Sequence, residues 1–67
     1  MNPFATEIIE FLISKKPMSP TLLVEICLAQ GIEKKSTQIT MQIGIERDMW
    51  HFNYDMKLAP GSRWDNR

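Results

Sequence analysis

The chain reads as an α+β domain in which two N-terminal helices pack on one face of a C-terminal antiparallel β-hairpin. Three observations predict this. Two apolar-rich segments each open with a capping residue and a proline, a long stretch of strict apolar–polar alternation follows them, and 67 residues leave room for one core only. A chain this short buries about 60% of the surface its unfolded form exposes, so its stability margin is small. No internal staple is visible, because Cys27 is the single cysteine. Residues 1–67 form a single small domain in this reading, with 59–67 as a flexible tail.

The first helix begins at Asn2-Pro3, a capping side chain before a proline at the first helical position. From Phe4 to Lys16 the apolar residues Phe4, Ala5, Ile8, Ile9, Phe11, Leu12 and Ile13 cover one broad arc, while Thr6, Glu7, Glu10 and Ser14 gather opposite. Lys15 and Lys16 suit the negative end of the helix dipole, and Pro17 stops the helix. The second helix repeats the punctuation with Ser19, Pro20 and a terminal Gly31. Thr21 and Glu25 form its only polar strip. A helix apolar nearly all round is either a buried centre or a surface for association.

Residues 37 to 58 carry the hairpin expectation. As a strand, Ile39, Met41, Ile43 and Ile45 share one side, whereas a helix would scatter them and place Gly44 at its middle at a cost of about 1 kcal/mol. Trp50, Phe52, Tyr54, Met56 and Leu58 alternate in the same way. Folding the two runs around Glu46–Met49 pairs Ile45 with Trp50, Ile43 with Phe52, Met41 with Tyr54 and Ile39 with Met56. On the other face lie Gln38, Thr40, Gln42, Asn53, Asp55 and Lys57, with His51 opposite Gly44.

Catalytic, metal and cofactor chemistry find little purchase. His51 is the only histidine and nothing in the spacing ties a nucleophile to it, so it reads as a surface side chain. One histidine and one cysteine fall short of a zinc site. Glu7 and Glu10 read as a solvated face, Cys27 as inert core, and the scattered glycines make no phosphate loop. The expectation is a non-enzymatic, cytoplasmic protein with no cofactor, no membrane segment and no small-molecule substrate. The 8 basic and 8 acidic residues cancel, which disfavours, without excluding, a life on DNA phosphates.

The preferred functional reading is a small regulator or inhibitor acting through protein–protein contacts, as a monomer or a homodimer. Trp64, Arg63 and Trp50 are its candidate contact residues, since Trp and Arg dominate interface hot spots. The competing reading places DNA on Lys34, Lys35, Ser36, Thr37, Gln38 and Gln42, a cluster of donors leading into the first strand.

That second reading has a resemblance behind it. Ile8-Ile9-Glu10-Phe11-Leu12, Pro17-Met18-Ser19, Leu22-Leu23-Val24-Glu25 and Gly31-Ile32 together resemble the opening of a winged-helix DNA-binding domain. The likeness covers about a third of the chain. It implies a winged helix-turn-helix fold and a DNA-binding transcriptional regulator, with Lys34 to Gln38 opening a recognition helix and Trp50 to Trp64 as the wing. The sequence departs from the pattern at position 46, where an apolar residue is implied and Glu46 stands.

Overall fold

The computed structural model describes residues 1–62. It contains helices α1 (Pro3–Lys15), α2 (Pro20–Ala29) and α3 (Lys34–Glu46), then strands β1 (Trp50–Phe52) and β2 (Leu58–Pro60). The architecture is α+β, with three helices and a two-stranded antiparallel sheet.

The first two helices form where the punctuation places them. Asn2 Oδ1 accepts the amides of Phe4 (2.9 Å) and Ala5 (3.1 Å), satisfying two of the donors a helix start leaves free. Ser19 Oγ accepts Leu22 N at 3.2 Å, and Gly31 leaves α2 at φ +84°, a left-handed conformation that favours glycine. From α1 the core takes Ala5, Ile9 and Ile13. From α2 it takes only Leu23 and Cys27, while Leu22 and Leu28 stay exposed. The second helix is thus a one-sided wall of this chain and not its buried centre.

The stretch expected as the first hairpin strand is helical. Its buried positions are Thr37, Thr40, Met41 and Gly44, spaced three, one and three apart, which is one face of a helix. Two threonines on that face are tolerated because their hydroxyls turn back on the helix. Thr37 Oγ1 donates to Glu33 O at 3.2 Å and Thr40 Oγ1 to Ser36 O at 2.8 Å. Thr40 Oγ1 also accepts Asn2 N at 3.0 Å, tying the start of α1 to the middle of α3. Gly44 is a socket rather than a weakness: a Cβ built there would overlap Cε2 and Cζ2 of Trp50. The indole fills that space and donates Nε1–H to Met41 O at 2.9 Å.

The hairpin exists, but it is shorter and lies further along the chain than the alternation predicts. Trp50 pairs with Pro60, His51 with Ala59 and Phe52 with Leu58, so the expected second strand is itself folded in two. The turn is built by Asn53, whose Oδ1 accepts the amides of Asp55 (2.9 Å) and Lys57 (3.1 Å). Its backbone closes the loop with Asn53 N to Lys57 O at 2.9 Å, and Met56 takes φ +60°. Tyr54 and Met56, expected on the apolar face, are therefore exposed at the turn. The expected tail does not start at Ala59, because Ala59 and Pro60 belong to β2 and Gly61 N bonds Met49 O at 2.9 Å.

Met18 completes the sheet from the other side. It exchanges two backbone bonds with Leu58, Met18 N to Leu58 O at 3.1 Å and Leu58 N to Met18 O at 2.7 Å. Strand β2 consequently lies between the link joining α1 to α2 and strand β1. The main core of Ile9, Ile13, Leu23, Met41, Trp50 and Leu58 draws one or more residues from every element. Full burial of each large apolar side chain contributes roughly 1.5–3 kcal/mol. A smaller cluster of Ala5, Cys27 and Ile32 closes the far end. No described helix is long and apolar enough to cross a membrane.

Candidate nucleic-acid interface

With Thr37, Thr40, Met41 and Gly44 turned inward, α3 presents Lys34, Lys35, Gln38, Ile39, Gln42 and Glu46 to the outside. Four of these carry donors. Lys34, Gln38 and Gln42 follow one another at four-residue intervals, which places them on one line along the helix. Gln42 is partly engaged, donating Nε2–H to Glu46 Oε2 at 3.3 Å. The lysines lie in the first turn, where the helix dipole is positive and a cation is disfavoured by typically 0.3–1 kcal/mol. Glu33 stands at the capping position and makes no side-chain cap bond to the first amides of α3.

Beside this strip runs a groove of about 510 Å³ between α2, α3 and the start of the hairpin. Val24, Met41, Ile45 and Phe52 supply its apolar lining, and Thr21, Glu25, Lys34, Gln38 and Gln42 its polar one. The α2 contribution is signalled in the sequence by the Thr21/Glu25 strip, the one polar face of an otherwise apolar helix. Phe52 carries no such signal, since its expected place is inside.

The residues singled out from the sequence separate here. Lys34, Lys35, Gln38 and Gln42 come together on the outer face of α3; Ser36 is half-buried and Thr37 fully buried. The polar face expected for the hairpin does not form, because Gln38, Thr40 and Gln42 are in a helix with Thr40 buried, and Asn53 is committed to its own turn. Trp50 is 1% exposed with its N–H satisfied, so as a contact residue for a partner it is corrected to a core residue. Trp64 and Arg63 lie outside the described residues. His51 is half-buried on β1, facing Ala59 instead of Gly44, with Nδ1 2.7 Å from Gly61 O. That carbonyl can only accept, so Nδ1 carries the proton. Burial pushes the Cys27 thiol up from its ordinary value, offset in part by a hydrogen bond with Thr37. A thiol held protonated and buried is a poor nucleophile. Among the described residues no three His, Cys, Asp or Glu side chains are grouped to hold a metal ion.

Compared with family models, curated proteins and solved structures, the chain matches none.

Proposed function

We propose that this chain is a winged-helix-type module that binds duplex DNA, with α3 as the recognition helix. The observation that carries the reading is the outward strip of Lys34, Lys35, Gln38 and Gln42 on one helix face. Glutamine can bond adenine in a bidentate manner, lysine can reach guanine O6/N7 or a phosphate, and an α-helix fits the major groove. The order of elements supports it as well: a helix, a bridging residue at Met18, a helix–turn–helix closed by Gly31, then a hairpin. Two lysines seated against a helix dipole, beside amides left without an N-cap side chain, suit a site that meets phosphate.

Zero net charge sets the expected strength. With Lys34 and Lys35 as the cations of the outward strip, the salt slope should be roughly −2, at about −0.9 per phosphate contact. Fluorescence anisotropy with a labelled duplex across a salt series tests this. Lys34→Ala/Lys35→Ala should flatten the slope by about 2. Absence of binding to any duplex at low salt would defeat the proposal.

A second reading, a regulator or inhibitor that docks on another protein, is favoured by the hairpin turn. Tyr54, Met56 and the adjacent Phe52 are exposed there, and the turn is pre-ordered by Asn53. Tyr54→Ala/Met56→Ala would abolish such docking and leave the salt slope on DNA unchanged.

A further inference from the structure

Helix α1 carries an uncovered strip. Phe4, Ile8, Phe11 and Lys15 succeed one another at four, three and four residues, a spacing that keeps them on one helical face. Phe4 is 69% and Phe11 63% exposed, more than any other large apolar side chain of the helices. Ile8 is half-buried, leaning on Ala5, Cys27 and Ile32. Lys15 Nζ lies 5.0 Å from the centre of the Phe11 ring. Glu7 is exposed one turn before Phe11.

We propose that this strip is a self-association surface on which a second copy of the chain docks, α1 against α1 in antiparallel orientation. The strip is complementary to itself. Glu7 and Lys15 each stand four residues from Phe11, about 6 Å along the axis in opposite directions. A two-fold axis at Phe11 therefore stacks the two Phe11 rings and sets Glu7 of each copy against Lys15 of the other. Phe4 of each copy, seven residues from Phe11 and so about 10 Å along the axis, then lies just past the end of its neighbour's α1, level with Met18. Parallel docking about a two-fold is equally isologous but would oppose Lys15 to Lys15 and Glu7 to Glu7, which selects the antiparallel arrangement.

A fully buried Phe hides about 150–250 Å², so four rings exposed by about two-thirds supply roughly half of the ~1,000 Å² that marks a specific interface. Ile8, Ser14 and the stems of Glu7 and Lys15 supply further area. An interface at this lower limit gives a weak dimer, with dissociation on the order of micromolar or above. None of these residues belongs to the outward strip of α3, so self-association does not depend on whether DNA is bound.

Sedimentation velocity on the full chain across a concentration series is the test. The wild type should pass from monomer to dimer, Phe11→Lys should stay monomeric at every concentration, and both should show the same helical circular dichroism. Glu7→Lys should weaken the dimer at least tenfold, and Glu7→Lys/Lys15→Glu should restore it. A wild type that is monomeric at several hundred micromolar, or a dimer indifferent to Phe11→Lys, would overturn the proposal. So would a double variant no tighter than Glu7→Lys alone.

Discussion

Helices α1 and α3 have the same length, 13 residues, and opposite ways of entering the core. From α1 come large side chains, Ile9 and Ile13, which act as knobs. The inner face of α3 offers Thr37, Thr40 and Gly44 around a single Met41, and these act as recesses. The neighbouring Trp50 enters the recess at Gly44. A small core is filled by pairing bulk on one element with its absence on another. The helix that contributes the absence keeps its larger polar side chains for the outside. On α3 those are the lysines and glutamines of the candidate interface.

Filling a recess breaks this contrast most directly. Gly44→Ala puts a methyl where the indole sits, and we expect a loss of about 3 kcal/mol or more, seen as a collapse of the thermal unfolding midpoint. Trp50→Ala should cost about 3–5 kcal/mol by emptying the same space. Because both changes act on one contact, the double variant should fall well short of the sum.

A smaller effect separates the two buried threonines. Thr40→Val leaves the Asn2 amide without its acceptor and should cost about 1–2 kcal/mol in a denaturant titration. Thr37 Oγ1 donates to a carbonyl that already accepts Thr37 N, so Thr37→Val strands no backbone group and loses only the hydrogen bond with the Cys27 thiol; it should cost less than Thr40→Val, about 0.5–1 kcal/mol. Equal costs at the two sites would show that the tie between α1 and α3 is energetically idle.

Next comes the cap. Asn2→Ala removes two hydrogen bonds at the start of α1 and should cost about 1 kcal/mol. The smallest expected effect is at Cys27. Its folded pKa is raised, so the thiol's contribution is intact below its ordinary value of 9.0 and is lost as pH rises above it. A slight fall in unfolding midpoint above that pH, absent in Cys27→Ala, is the check.

Legibility in the sequence follows the same division. The ends of α1 and α2 can be read because caps, prolines and Gly31 act locally, through the donors and backbone angles of their own turn. Residues 38–45 read wrongly as a strand when the periodicity of large apolar residues is the signal. Ile39, Met41, Ile43 and Ile45 alternate, yet only Met41 is buried. The true inner face is marked by small and hydroxyl-bearing residues, whose suitability depends on a tryptophan six positions beyond Gly44. The hairpin is shifted for a related reason: Asn53 ties its own turn through its side chain, and that overrides the alternation of Tyr54 and Met56. The donors Lys34, Lys35, Gln38 and Gln42 are evident in the sequence, but they share a face only because the segment is helical.

The functional proposal rests on residues 34–46 forming a helix whose outward donors meet duplex DNA. Titrating an isotope-labelled sample with a duplex at low salt, and following the amide signals residue by residue, tests this most directly. Helical carbon shifts through Gln38–Ile45, with perturbations concentrated at Lys34, Lys35, Gln38 and Gln42, are the predicted result. Extended-strand shifts in that stretch, or a spectrum that DNA leaves unmoved, would contradict it.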